Sequence, residues 1–141
     1  MSPGRGGHAR LVVNVDGGAR GNPGPAAIAA VVSTPDGEVL EERSERIGKA
    51  TNNVAEYRAL LLGLERARAL GAREVELVGD SELVVRQVEG DYKVKDPELR
   101  KLNAGVVKAL ADFERWAIRH VPRDDNEAAD GLVNAALDAD S

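Results

Sequence analysis

The stretch Leu11-Val-Val-Asn-Val-Asp-Gly-Gly-Ala-Arg-Gly-Asn-Pro-Gly-Pro25 governs how this chain folds. Its first residues are apolar and β-branched, which predicts a strand that ends at Asp16. The residues that follow are mostly glycine, asparagine and proline, which predicts a turn. The apolar run over 26–33 and the segment 38–47, separated by a Pro-Asp-Gly turn signal, can each return as a strand. This part of the chain therefore predicts a three-stranded antiparallel meander.

Beyond the meander, helical and strand-like spacings of apolar residues alternate. The predicted elements are a helix over 54–70, a strand over 74–80, a helix that follows Ser81 and ends at Gly90, a helix that begins at Asp96-Pro97, a strand over 116–121 and a helix over 125–138. A meander followed by such alternation predicts an α/β fold, a mixed sheet with helices on its faces. Ligands of such sheets bind where strands end, and Asp16 and Asp80 end two predicted strands.

The composition is that of one globular domain with an acidic balance. The 141 residues are 43% hydrophobic with a formal net charge of −5, and we expect a flexible leader over 1–10, a domain over 11–138 and a tail over 139–141. The absence of cysteine excludes disulfides, thiolate metal sites and cysteine nucleophiles.

The negative charge argues against a protein that coats nucleic acid by bulk charge. No apolar run has the length of a signal peptide or a membrane span, so we expect a cytoplasmic protein with no membrane partner, and we expect a monomer.

The glycine-rich loop over 17–24 admits several interpretations. A P-loop requires a Gly-Lys-Ser/Thr triplet, which is absent, and a dinucleotide-binding fingerprint requires a helix where a strand-like run follows. A wide strand-to-strand turn would use the glycines for their backbone freedom. A loop whose N–H groups meet a substrate backbone lying over Asp16 would use them for close approach. The last two interpretations stay open at the level of the sequence.

Three aspartates are candidate site residues, and each also has a structural interpretation. A strand-terminal Asp often forms a turn or caps a helix, which would account for Asp16 and Asp80. Asp130 shares one face of the last predicted helix with Asn126 at the i, i+4 spacing and could be a solvated surface residue. The small residues Ala128-Ala129 beside it indicate instead that this helix abuts a sheet.

Glu56 has an alternative interpretation as part of a capping box. In Asn53-Val-Ala-Glu56, Asn53 would cap the helix and Glu56 would occupy the third helical position. However, Thr51-Asn52-Asn53 places three polar residues where one cap needs a single residue. Spare donors at a helix N-terminus suit a phosphate.

If these four carboxylates converge, they form a site with oxygen ligands only. Such a site suits a hard cation such as Mg²⁺ or Mn²⁺. Four carboxylates close together would repel one another, and two divalent cations would balance their four negative charges. Two-metal sites are the usual device for displacement at a phosphodiester.

Four motifs identify the chain as similar to a known family. They are Asp16–Gly24, Thr51–Glu56, Asp80-Ser81 and Asn126–Asp130, in that order along the chain. With these motifs the chain, from Leu11 to Leu137, resembles a type 1 ribonuclease H. The resemblance implies a ribonuclease H-like fold with a five-stranded mixed sheet, three antiparallel strands and then parallel ones, with helices on both faces.

The resemblance also implies an activity, a cofactor and a set of site residues. The activity is endonucleolytic hydrolysis of the RNA strand of an RNA–DNA hybrid, which leaves 5′-phosphate and 3′-hydroxyl ends. The cofactor is Mg²⁺, two ions per site, with Mn²⁺ as an alternative. The implied catalytic metal ligands are Asp16, Glu56, Asp80 and Asp130, and the implied substrate-binding residues are Gly17, Gly18, Asn22, Thr51, Asn52, Asn53 and Ser81.

The loop before the last helix departs from the family pattern. Many members carry a catalytic His there, and counting back from Asn126 places His120 at that position, although His120 also belongs to the last predicted strand. Some short members use an Arg in this loop, which Arg123 fits. We therefore divide the catalytic role between His120 and Arg123 and favour Arg123.

The basic protrusion that holds the hybrid in some family members is short and nearly neutral here, over 86–101. Few phosphates would be neutralised, so we expect modest, salt-dependent affinity. Tyr92 and Trp116 are candidate nucleic-acid contacts, but packing roles are favoured for both.

Other functions compete with hybrid hydrolysis. A nuclease of the same fold could act on another nucleic acid, because fold alone does not determine substrate. A non-catalytic hybrid-binding module would be expected to lack a carboxylate, and none of the four is missing. A plain metal- or anion-binding domain would leave the polar residues of 17–24 and 51–53 unexplained.

Overall fold

The elements follow one another in the order that the sequence predicts. The computed structural model describes residues 9–139, so most of the expected leader and tail lies outside the described residues. The elements within that range are β1 (Arg10–Ala19), β2 (Gly24–Ser33), β3 (Val39–Ala50), α1 (Asn52–Ala69), β4 (Glu74–Gly79), α2 (Glu82–Glu89), α3 (Pro97–Leu110), β5 (Arg115–His120), a 3₁₀ turn (Arg123–Asn126) and α4 (Glu127–Asp138).

The strands form one five-stranded mixed sheet in the order β3-β2-β1-β4-β5. The first three strands pair antiparallel, whereas β4 runs parallel to β1 and β5 runs parallel to β4. This arrangement confirms the expected fold class. Because β1 and β4 are parallel neighbours, their carboxyl ends meet at one edge of the sheet, and the residues that follow them there come together.

Helices cover both faces of the sheet, and alternation along β2 shows how the two faces are separated. Ile28 and Ala30 belong to the main core, which includes α1. Ala27 and Ala29 point the other way and pack against Val133 of α4. Successive side chains of a strand point to opposite faces, so a continuous apolar strand buries both.

Helix α1 lies unusually close to β1 because a glycine faces the strand. A Cβ atom built on Gly63 would lie 2.8 Å from Val13 Cγ1 and 2.9 Å from Val15 Cγ1. Both valines are buried and branched at Cβ, so they have few alternative rotamers. The contact therefore sets the separation between the helix and the sheet.

Several predicted boundaries and environments are wrong. Strand β1 continues through Gly17 and Gly18 to Ala19, where it still pairs with β2, so Asp16 lies within the strand and not at its end. The turn between β1 and β2, which the sequence predicts to be wide, is only a few residues long. It includes a cis Asn22–Pro23 peptide bond. Tyr92 and Trp116, for which packing was favoured, are 45% and 43% exposed.

Two further boundaries differ by a residue or two. Asp80 follows β4, which ends at Gly79, and α4 begins at Glu127 after the 3₁₀ turn instead of at 125. Hydrophobic periodicity does not locate the ends of elements to within a residue or two. Within residues 9–139, no helix combines the length and the apolar character needed to cross a membrane.

Replacing Gly63 with Ala tests the close contact between α1 and β1. Ala favours a helix by about 1 kcal/mol over Gly, but the added methyl overpacks the core at a cost of about 1–3 kcal/mol. We therefore expect Gly63→Ala to lower the free energy of unfolding in urea. Gly131→Ala in α4 is the matched control, because a Cβ there meets nothing within 4 Å. It should raise that free energy, and a rise in both variants would contradict the proposed contact.

Candidate active site

An open cavity of about 380 Å³ lies at the sheet edge where β1 and β4 end. Its walls come from β1, the first turns of α1, the residues after β4 and one side of α4. The polar side chains that line it are Asp16, Arg20, Asn52, Asn53, Glu56, Asp80, Ser81, Arg123, Asp130 and Asn134.

Three carboxylates converge at the bottom of this cavity. One oxygen each of Asp16, Glu56 and Asp80 lie within 4.8 Å of one another. Asp16 and Glu56 are buried, and Asp80 is half-buried. Asp130 of α4 lines the same cavity, and its carboxyl interacts with that of Asp16. Four elements that are distant in sequence therefore each bring one carboxylate to the predicted place.

Glu56 is held toward the other carboxylates by the backbone of β1. The Gly17 N–H donates to Glu56 Oε1 at 2.7 Å, and a Cβ at Gly17 would overlap the Ala55 carbonyl oxygen of α1. The alternative interpretation of Glu56 as part of a capping box is therefore wrong, because the cap is Thr51, whose Oγ1 accepts from the Val54 N–H at 3.2 Å. The group that approaches Gly17 closely is therefore helix α1 and not a substrate. The Gly17 N–H already donates to Glu56 within the protein.

Asp80 is held by a buried side chain that the sequence pattern did not single out for this task. Asn126 is 2% exposed, and its Nδ2 donates to Asp80 Oδ2 at 2.9 Å and to the Val15 carbonyl at 2.8 Å. Its Oδ1 accepts from Asn14 Nδ2 at 3.1 Å. The sequence signal for this residue is an Asn at the start of the last helix, where Asn normally caps the helix. In the structure, however, the Asn126 side chain makes no capping bond.

The carboxylates repel one another strongly in the absence of a cation. Burial raises the pKa of Asp16 from 3.8 to about 8, and the charges of Asp80 and Asp130 add to the effect. Burial and the charges of Asp16 and Asp80 likewise raise the pKa of Glu56 well above its usual range. The nearby Arg123 guanidinium opposes both shifts. An all-oxygen donor set with uncompensated charge fits hard divalent cations, with Asp16, Glu56, Asp80 and Asp130 as the residues that could hold them.

The predicted substrate-binding asparagines join the β1–β2 turn to the start of α1. The Asn52 N–H donates to Asn22 Oδ1 at 2.9 Å, and Asn52 Oδ1 accepts from the Ala19 N–H at 2.9 Å. The two side-chain oxygens are therefore used inside the protein, while the Nδ2 amides can point donors outward. Asn52 lines the cavity, whereas Asn22 is not among the described residues that line it and contacts Asn52 through its Oδ1.

The other predicted substrate-binding residues divide into two groups. Gly18, Asn53 and Ser81 line the cavity with Gly17. Ser81 is also the cap of α2, where its Oγ accepts from the Val84 N–H at 3.4 Å. Thr51, as the cap of α1, lies on a neighbouring cavity instead.

The structure separates the two candidates for the loop before α4. Arg123 lines the cavity and lowers the pKa of Asp16 and Glu56 through its charge. His120 ends β5, where it pairs with Gly79, and it is exposed. Among the residues that the structure describes, those that line the cavity do not include His120.

Comparison with known proteins shows that this chain is similar to ribonucleases H. A family model described as reverse transcriptase-like matches residues 14–136. Ribonuclease HI of Halobacterium salinarum is 46% identical over 138 residues, which are 98% of this chain and 68% of that protein. A bifunctional protein of Mycobacterium tuberculosis is 50% identical over 131 residues, 92% of this chain, which spans only 36% of that relative's length.

Solved structures agree with these relatives. The crystal structure of RNase H1 from Halobacterium salinarum has a TM-score of 0.91 at 46% identity and covers 93% of this chain and 99% of its own. LC11-RNase H1 in complex with an RNA/DNA hybrid has a TM-score of 0.87 at 44% identity and covers 92% of this chain and 97% of its own.

The crowding of the carboxylates predicts how stability depends on pH when divalent cations are chelated. The folded state holds the Asp16 proton up to about pH 8, whereas the unfolded chain releases it near the ordinary value. The stabilisation from this proton is therefore full only below the ordinary value of 3.8 and is lost progressively as the pH rises to about 8. Asp16→Asn stays neutral, so its Tm relative to the wild type should increase between about pH 5 and about pH 9. Asp124→Asn, at an exposed position, should keep a constant difference, and a constant difference for Asp16→Asn would contradict the crowding.

Proposed function

The chain belongs to the type 1 ribonuclease H family, and from that membership we propose that it hydrolyses the RNA strand of RNA–DNA hybrids with two divalent cations. The observation that supports the proposal most directly is the convergence of Asp16, Glu56 and Asp80 within 4.8 Å in an open cavity. An open cavity gives a duplex access to the carboxylates. The hybrid bound to the related LC11-RNase H1 supports the same class of substrate.

The residues proposed to hold the cations are Asp16, Glu56, Asp80 and Asp130, with Mg²⁺ as the ion and Mn²⁺ as an alternative. When bound, such ions compensate the carboxylate charge, lower the pKa of a water and stabilise the charge on a leaving oxygen. Hydrolysis of this kind would leave 5′-phosphate and 3′-hydroxyl ends. The monomeric state and the cytoplasmic location stay predictions.

The protein's own contribution is to hold these ligands still before the substrate arrives. The Gly17 N–H orients Glu56, and Asn126 orients Asp80. Groups that orient metal ligands commonly change metal affinity or activity by about 10- to 100-fold when removed. Arg123 adds a positive charge on the cavity wall, where a phosphate would lie.

Selection of RNA over DNA requires contacts with 2′-hydroxyl groups. Asn22 lies on the β1–β2 turn and Asn52 begins α1. Their side-chain oxygens accept from backbone N–H groups, so the Nδ2 amides are the remaining donors of these side chains. Rigid donors beside a scissile phosphate suit a sugar hydroxyl. These positions favour a hybrid nuclease over a nuclease that is indifferent to the sugar.

Cleavage assays with three duplexes test the proposal. The protein should cleave a labelled RNA–DNA hybrid, but not duplex RNA or duplex DNA, with Mg²⁺ or Mn²⁺ present and not with a chelator. Asp80→Asn removes one ligand charge and should lower kcat roughly 100-fold or more. Asp124→Asn removes an exposed carboxylate from the adjacent turn and should retain full activity. Cleavage in chelator would exclude metal dependence, and hybrid binding without cleavage by the folded wild type would favour a non-catalytic module.

A second comparison assigns the role in the loop before α4. Because Arg123 lines the cavity and His120 does not, we expect Arg123→Ala to lower kcat by about tenfold or more and His120→Ala to have little effect. The measurement is kcat on the hybrid at saturating substrate, with the Tm of each variant as a check on folding. The reverse order of effects would assign the role to His120, and two silent variants would exclude both residues.

A further inference from the structure

Arg20 is an exposed arginine at the mouth of the active-site cavity. It follows β1 directly, and its backbone N–H donates to the Pro25 carbonyl at 2.8 Å, which closes the turn. Its Nη1 donates to the carboxylate of Asp138, at the end of α4. The side chains of Arg20 and Asp138 are 48% and 66% exposed. The backbone of Arg20 is therefore fixed in the turn, whereas its guanidinium is accessible to solvent.

The position of Arg20 links two cavities of opposite character. One is the carboxylate cavity, where Arg20 and Arg123 are the cationic side chains among the described residues that line it. The other has a volume of about 550 Å³ and is lined by Arg20 together with Arg46, Lys49 and Pro23. A nucleic-acid strand that leaves the carboxylates in this direction would pass over Arg20 and then meet further cations.

We propose that Arg20 binds a backbone phosphate of the strand being cleaved, beside the scissile phosphate, and that Asp138 is the partner that this phosphate displaces. The inference rests on the proposed function. The inference extends the proposed function by assigning a substrate contact to Arg20, a cavity-lining residue that is not a metal ligand, and a competing role to Asp138 at the end of α4.

The exchange of partners follows from the strengths of the two interactions. An exposed ion pair contributes little, because water and salt screen both charges. A guanidinium offers five donors in a fork that matches a phosphate, and its bond to Asp138 uses a donor of one nitrogen. The strand would already be held by the divalent cations that the four carboxylates are proposed to bind, so the phosphate would compete at high local concentration.

Removal of the Arg20 charge gives the first test. For Arg20→Gln on the hybrid we expect KM to rise roughly fivefold with kcat changed less than about twofold. The slope of log(kcat/KM) against log salt concentration should become shallower by about one. The matched control is Arg68→Gln, because Arg68 forms a comparable exposed ion pair with Asp112, at 2.7 Å, away from the cavity. It should leave both KM and the slope unchanged.

Removal of the competing carboxylate gives the second test. Asp138→Asn should lower KM about twofold in the wild-type background and should have no effect when combined with Arg20→Gln. Asp112→Asn makes the same change of charge at the control pair and should leave KM unchanged. An equal effect of Asp138→Asn in both backgrounds would show that Asp138 acts on the substrate by general repulsion and would overturn the exchange.

Substrates with one neutral methylphosphonate linkage locate the contact. The KM difference between Arg20→Gln and the wild type should disappear with one such linkage next to the cleavage site in the RNA strand. A difference that persists for every linkage, or an unchanged KM and salt slope, would overturn the inference while the wild type still cleaves the hybrid. Failure of the wild type to cleave the hybrid would instead overturn the proposed function.

Discussion

Repulsion between carboxylates at one edge of the sheet is the constraint around which this structure is organised. Asp16, Glu56 and Asp80 are brought within 4.8 Å of one another, and burial removes the water that would screen them. Local sequence provides none of this proximity, because β1, α1 and the end of β4 each contribute one group. Packing of the apolar core therefore has to hold the charges together. The raised pKa values of Asp16 and Glu56 express the cost of that arrangement.

Two polar devices adapt the fold to this constraint, and both operate over long distances in sequence. Gly17 lacks a Cβ, so α1 can approach β1 closely enough for the Gly17 N–H to reach Glu56. Asn126 replaces a capping role with a buried bridge between Asp80 and the β1 backbone. Each device satisfies a carboxylate oxygen with a neutral donor, which orients the group without cancelling the charge that a cation requires.

The sequence predicts the parts of the structure that depend on periodicity and on local turn signals. The element order and the mixed sheet follow from such patterns, whereas the set of four site carboxylates comes from the resemblance of four motifs to type 1 ribonucleases H. Prediction from the sequence is wrong where a side chain bonds to a residue distant in sequence and not to a near one. Glu56 bonds to Gly17 and not to its own helix start, and β1 extends past Asp16 because pairing with β2 outweighs its glycines. Tyr92 and Trp116 are exposed, because burial depends on which elements pack over a residue, and hydrophobicity alone does not report that.

The dependence of the site on α4 has a consequence for protein synthesis. Asn126, directly before α4, bonds to Val15 across 111 positions in sequence, and Asp130 lies in the first turn of α4. A ribosome releases the strands and the first three helices earlier, so a nascent chain displays most of its acidic groups before the bridge that orients Asp80 exists. Formation of a competent site is therefore among the last events after translation of this segment. A protease cut before residue 123 would remove both the Asn126 bridge to Asp80 and the Asp130 carboxylate from the site.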